Sequence, residues 1–230
     1  EANSTVKYEV RLAKKATLKL RNAVEMDSDN IRLSYDNNAI LDYRHAFYPA
    51  PEGVDPIFGK SGFIHPLYSP NGNILTTIQP DDHYHHYGIW NPWTKAQVEG
   101  QEIDFWNLGD GKGTVRYAGL LSKSSGAVFS NFSIKQEHVN FKAKGADQIA
   151  LNEQWDVRSF AVDIAGKMCW IVDITSTLNN ALDSKIELSN YRYGGGISIR
   201  TNAYWTTQNS KVLTSEGRTR IDADGTNAKW

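Results

Sequence analysis

All seven prolines of the chain, Pro49, Pro51, Pro56, Pro66, Pro70, Pro80 and Pro92, fall inside one stretch, flanked by runs in which apolar and polar residues alternate. Proline fixes φ and offers no N–H. Residues 49–114 are therefore expected to be loop-rich and largely barred from central sheet ladders. The alternating runs are "TVKYEVRLA", "NIRLSYDN", "AILDYRHAFY", "TVRYAGLLSK", "VFSNFSIKQEHVNFKAKG", "IALNEQWDVRSFAVD", "MCWIVDITSTLNN" and "KIELSNYRYGGGISIRTNAYW". Their period of two, their Val, Ile, Thr, Tyr and Phe content and their Gly, Asn, Asp and Ser punctuation are those of strands. Within them, "VDIAGKMCWIVDI" reads as a hairpin with its tip at "GKMC". A helical period is nowhere sustained over more than about ten residues. The pattern predicts an all-β fold, a large antiparallel β-sandwich in a single domain over residues 1–230.

Composition narrows the function classes. At 230 residues, 40% hydrophobic and 22% charged, the chain resembles an ordinary globular protein. A chain of this length can bury roughly 70% of its unfolded surface. A formal net charge of -1 gives no basic footprint, so no nucleic-acid partner is expected. No apolar run approaches the roughly 18 residues of a spanning helix, so no membrane span is expected either. One cysteine, Cys169, precludes an internal disulfide, and its setting "GKMCWIVDI" predicts a buried, structural thiol. The polar start "EANST" looks like a trimmed mature end, which points to export, and the aromatic last residue Trp230 suggests a natural domain that runs further.

A loop-rich stretch this long inside a domain is either functional or disordered, and its aromatic and histidine content argues against disorder. Its centre, "QPDDHYHHYGIWNPW" at 79–93, carries Asp82, His83, His85 and His86. An extended backbone would put His83 and His85 on one face, and His86 with Tyr84 on the other. Imidazole titrates near pH 6.5, which suits it to general acid or base work, and Asp82 could orient one ring. His65, extended before Pro66, could add a third ring from a neighbouring segment. No recognised zinc spacing is present, so no cofactor is predicted. A divalent metal held by His65, His83 and His85 is the alternative.

Aromatic residues crowd the same region. Sugar rings stack apolar C–H faces on aromatic planes while their hydroxyls seek polar side chains, so Trp90 and Trp93 are expected to form a sugar platform. Trp155, Trp170 and Trp205 stand inside strand-like runs and are assigned to the core. In "NYRYGGGISIR", Tyr191, Arg192 and Tyr193 could supply hydroxyl and guanidinium groups to a substrate. The triple glycine beside them implies unusual φ/ψ or the close approach of a ligand. It lacks the Lys-Ser/Thr of a phosphate loop.

The strings "FIHPLYSPNGNILTTIQPDDHYHHYGIWNPW", "EIDFW", "YRYGGG" and "TSEGRTR...DGTNAKW" together resemble the bacterial family labelled "PmoA family protein", or methane oxygenase PmoA, over nearly the whole chain. A methane monooxygenase subunit is an integral membrane protein, so methane oxidation is not what this resemblance implies. More distantly, the chain is similar to galactose mutarotase-like proteins, antiparallel β-supersandwiches that act on or bind sugars. There "HPLYSPNG...HHYGIW" would match the first histidine-bearing element and "YRYGGGISI" the second. Where that family has a second catalytic histidine, this chain has Tyr191, Arg192 and Tyr193, which departs from simple mutarotation. Proteins carrying the PmoA label are typical of polysaccharide-degrading bacteria and tend to be exported. The resemblance therefore implies a periplasmic or extracellular carbohydrate role.

The leading expectation is a carbohydrate-active enzyme of epimerase, lyase or hydrolase type. His83, His85, His86 and Asp82 would carry acid/base chemistry. His65, Trp90, Trp93, Tyr191, Arg192 and Tyr193 would hold a small-molecule or oligosaccharide substrate. The rivals are a non-catalytic carbohydrate-binding protein and a metal-dependent hydrolase or lyase.

Overall fold

Alternation becomes strand in most of the runs that carry it, but in "KIELSNYRYGGGISIRTNAYW" only Ile186–Leu188 and Ser198–Ile199 are strands among the described residues. The computed structural model describes residues 7, 9, 19–191 and 195–230. Thirteen strands run through these residues: β1 (Asn22–Met26), β2 (Asn30–Tyr35), β3 (Asn38–Arg44), β4 (Phe63–Leu67), β5 (Ile89–Trp90), β6 (Ala96–Val98), β7 (Gln101–Ile103), β8 (Gly113–Ser124), β9 (Phe129–Asn140), β10 (Gln148–Ile164), β11 (Lys167–Asn180), β12 (Ile186–Leu188) and β13 (Ser198–Ile199). Helical turns among the described residues are limited to two 3-10 segments, Pro56–Phe58 and Leu108–Asp110. The expected strand "TVKYEVRLA" falls almost wholly outside the described residues.

The pairings are antiparallel and form three sheets, ordered β1-β2-β3-β4-β5-β13, β11-β10-β9-β8 and β12-β6-β7. The first two face each other as an all-β sandwich. Ile31, Leu33, Leu41, Tyr43 and Ile64 from one meet Phe132, Ile134, Trp155 and Val157 from the other, all buried. Burial of each such side chain is worth about 1.5–3 kcal/mol against exposure, which is why period-two patterning dictates this architecture. A second cluster, with Val98, Ile103, Phe105 and Val115, seats the small sheet. A third, formed by Phe63, Tyr87, Trp90 and Leu108, lies beneath the histidine segment.

Several local expectations are corrected. The long hairpin turns at Ala165 and Gly166, both at positive φ (52° and 78°), two residues earlier than the "GKMC" reading places its centre. Pro66 does enter a ladder, since β4 lies between β3 and β5. The β3–β4 register slips between Leu41 and Tyr43, opposite the proline, where no N–H is demanded. Cys169 is half-exposed on β11 rather than buried, because β11 is an edge strand. Trp155 is a core residue, and Trp170 packs against the core from its rim. Trp205, by contrast, is half-exposed in a turn that follows the last strand.

Candidate functional site

The histidine segment is an excursion pinned at its base. Ile78 bridges Tyr87, the Gly88 N–H donates to Thr77 O at 2.9 Å, and the Gln79 N–H donates to His86 O at 2.8 Å. Gly88 sits at a φ of 45°, and a Cβ there would fall 2.1 Å from Ile64 O. Only glycine fits where the chain returns into β5.

Inside the excursion the backbone is not extended. The His83 N–H donates to Pro80 O at 2.8 Å and the His86 N–H to His83 O at 3.0 Å, so two consecutive turns replace the expected alternation. Turns bring residues three apart together. The His83 and His86 rings stack with centroids 4.6 Å apart and planes 17° from parallel. His85 meets both edge-on, at 5.6 Å and 4.6 Å. Tyr84 turns the other way, onto Phe58. All three imidazoles therefore gather, where extended geometry would have separated His86.

Arg200 completes the arrangement from the far end of the chain. Its backbone is held at the base of the excursion, donating to Gly88 O at 2.7 Å and accepting from Thr77 N–H at 3.0 Å. Its Nη2 donates to both Asp82 carboxylate oxygens at 2.9 Å, and its Nη1 lies 3.3 Å from His86 Nδ1. Asp82 Oδ2 in turn lies 2.9 Å from His83 Nδ1. Bonds from His83 and Arg200 hold the Asp82 carboxyl at about 2. Burial, with neighbouring rings and Arg200 adding to it, pushes His86 down to about 3, and burial beside His83 lowers His85 as well.

These rings line a cleft of about 370 Å³ together with Asp104, Trp106 and Tyr191. Asp104 is 8% exposed, and its Oδ1 accepts from the N–H groups of Trp106 (2.7 Å) and Asn107 (2.9 Å). Burial nevertheless outweighs those bonds and raises its carboxyl above the usual range. The Trp106 indole stands edge-on to His86 at 5.8 Å and packs on Trp90 at 5.0 Å.

Of the residues expected in the site, His83, His85, His86 and Tyr191 line the cleft, and Asp82 lies within hydrogen-bond distance of His83. The tryptophan platform is corrected. Trp90 is 3% exposed, packed behind His86 and Trp106, and Trp93 is turned into the second cluster with its Nε1 donating to Ser189 O at 3.1 Å. The indole that reaches the cleft is that of Trp106. His65 does not line the cleft; its Nδ1 is paired with Thr76 Oγ1 at 2.9 Å. Arg192 and Tyr193 lie outside the described residues. Of the two glycine alternatives, unusual φ/ψ is the one seen at Gly195, whose φ is 128° and whose missing Cβ would stand 3.0 Å from the Trp93 ring. Among the described residues, no group of three or more His, Cys, Asp or Glu side chains is arranged to hold a metal ion, the set of His65, His83 and His85 included.

Two participants, Asp104 and Arg200, were missed from sequence, and Trp106, one of the aromatics that crowd the region, stands where Trp90 and Trp93 were expected. An Asp followed at two and three residues by backbone donors is an Asx-type turn, and "DFWN" carried that signal. Arg200 carried none. Chemically, the cleft offers hydrogen-bond donors and acceptors, an indole face and several groups able to take or give a proton.

Residues 30–230 match the model of a family described as "Family of unknown function (DUF6807)", and the chain belongs to that family. No curated protein and no solved structure matches the chain.

Proposed function

We propose that this member of the family is an exported carbohydrate-active enzyme that performs proton transfer on a sugar bound in the histidine cleft. One observation carries the reading: three clustered imidazoles, a buried carboxylate and an indole line the same cleft of about 370 Å³. That volume lies at the small end of the range for ligand pockets, about 300–1,000 Å³, and suits one sugar ring or two rather than a long chain. The resemblance to galactose mutarotase-like proteins and the sandwich architecture support the substrate class.

The groups divide by electrostatics. His85, held neutral at pH 7, has a lone pair that can accept a hydrogen bond from a sugar hydroxyl. Asp104, made more basic by burial, is a second acceptor, and when protonated it becomes a donor. Trp106 supplies the apolar face for stacking, and Tyr191 a phenolic hydroxyl at the cleft edge.

Tryptophan fluorescence and calorimetry with a panel of neutral and acidic monosaccharides and disaccharides test this directly, followed by NMR of bound sugars for chemical change. The expected result is saturable binding that Trp106→Ala weakens at least tenfold, with turnover abolished in Asp104→Asn. Binding without turnover of any bound sugar would instead select the non-catalytic reading. No binding across the panel would refute the carbohydrate assignment.

A further inference from the structure

The partners of the two stacked rings assign them opposite tautomers. A carboxylate accepts hydrogen bonds and cannot donate, so His83 Nδ1, 2.9 Å from Asp82 Oδ2, must carry hydrogen. A guanidinium donates and cannot accept, so His86 Nδ1, 3.3 Å from Arg200 Nη1, must be bare. In neutral rings the Nε2 atoms are then opposite in kind, a lone pair on His83 and an N–H on His86, on planes only 17° from parallel with centroids 4.6 Å apart.

We propose that the Asp82–Arg200 ion pair is a positioning device that sets His83 as proton acceptor and His86 as hydrogen-bond donor, and that the pair recognises two neighbouring oxygens of which one bears a hydrogen, as in a vicinal diol or a hemiacetal beside its ring oxygen. In the step this allows, the substrate O–H bond breaks and an Nε2–H bond forms on His83. The electron pair stays on the substrate oxygen, where the His86 N–H can stabilise it. The imidazolium so formed lies against the Asp82 carboxylate, which stabilises it. His86 does not compete for the proton, because burial and Arg200 keep it neutral. Among the described residues the third ring, His85, has no such hydrogen-bond partner, so the assignment sets His83 and His86 apart from it. Arg200 is the keystone because its one guanidinium touches both halves of the device.

The substrate class rests on the sugar reading, but the tautomers do not, and they are measurable without any ligand. Long-range ¹H–¹⁵N correlation spectra of uniformly labelled protein at mildly alkaline pH distinguish protonated from bare ring nitrogens, with assignments from His83→Gln and His86→Gln. The expected spectrum has His83 in the Nδ1–H form and His86 in the Nε2–H form. Asp82→Ala should release His83 from the Nδ1–H form. Arg200→Met should remove the donor to His86 Nδ1 and let that ring exchange between tautomers. The same tautomer on both rings in the parent protein, or an unchanged His83 in Asp82→Ala, overturns the inference. Chemical shifts of two histidines outside the cleft, His45 and His138, report whether each variant retains its fold. Opposite tautomers in a protein that binds no sugar would refute the sugar reading and leave the device standing. Sugar binding with identical tautomers would do the reverse. With both in place, deoxy sugars lacking one of the two oxygens should bind at least tenfold more weakly than the parent sugar, and equal binding would overturn the two-oxygen recognition.

Discussion

Replacing Glu153 with leucine should be among the most damaging single changes outside the cleft. Glu153 is 1% exposed in the middle of β10, with Oε2 accepting from His138 Nε2 at 2.8 Å and Oε1 accepting from Asn91 Nδ2 at 2.6 Å, from Ser176 Oγ at 2.5 Å and from Trp155 Nε1. Leucine removes every one of these acceptors while keeping similar bulk. His138 would then have both ring nitrogens unpartnered, since its Nδ1 already lacks a partner. A stranded buried donor costs about 1–3 kcal/mol, but repacking and the relief of burying a charge offset part of the total. The net expectation is the range for breaking a buried pair, about 3–5 kcal/mol. For a chain of this size each kcal/mol moves the melting midpoint by about 2–4 °C, so the midpoint should fall by about 6–20 °C. Thermal unfolding followed by circular dichroism measures this, and a companion His138→Leu/Glu153→Leu variant should cost less than the two single changes summed. A midpoint within about 2 °C of the parent, well inside the expected fall, would refute the reasoning. The pH dependence gives an independent check. Burial raises Glu153, but the bonds from His138, Ser176 and Asn91 together outweigh it and hold the carboxyl below its usual range. The stability it contributes is therefore present above the ordinary carboxylate pKa and lost as pH falls through the lowered one, so acid sensitivity in that window should diminish in Glu153→Leu.

The remaining predictions concern backbone, a buried amine and the cleft carboxylate. Gly88→Ala forces a Cβ to within 2.1 Å of Ile64 O at a left-handed φ, and should cost more than the roughly 1–2 kcal/mol of the dihedral alone, read by urea unfolding; a loss below that would contradict the packing at this point. Lys60 is 4% exposed and burial lowers it to about 7, so Lys60→Met should stabilise the protein at neutral pH, read by urea unfolding. Between that lowered pKa and the ordinary lysine value the unfolded chain holds a proton the folded one lacks; parent stability should therefore gain on the Lys60→Met variant as pH rises through this window, and parallel pH profiles would count against it. Ala165→Asn places the favoured residue at a positive-φ hairpin position and should raise stability by about 1 kcal/mol, with a destabilised variant disproving the turn assignment. Asp104→Asn keeps the acceptor for the Trp106 and Asn107 N–H groups. It removes a carboxyl whose raised pKa makes its ionisation unfavourable to the fold at neutral pH, so calorimetry at pH 7 should find its midpoint unchanged or higher.

The strands were legible because burial on one face of a sheet imposes a period of two that any reader of the chain can count. "IALNEQWDVRSFAVD" became β10 and "MCWIVDITSTLNN" β11 with only their ends adjusted. The place of the candidate site was legible too, because three histidines in four positions amid prolines have no simple role in a ladder. Its geometry was not. His83 and His86 stack through two backbone turns that the extended-chain assumption excluded, and those turns are held by pairings at Ile78, Tyr87 and Gly88 rather than by the histidines themselves. Trp90 and Trp106 are the same residue type in the same loop-rich stretch, and only the packing of the third core cluster puts one behind the cleft and the other at its wall. Arg200 reaches Asp82 across 118 residues, a contact that no local pattern encodes. Local periodicity records which face of a strand is buried, so the chain alone determined the sandwich and marked the segment that forms the candidate site. The protonation pattern of that segment depends on which distant donors and acceptors the closed fold brings within hydrogen-bond reach, and that was decided only in three dimensions.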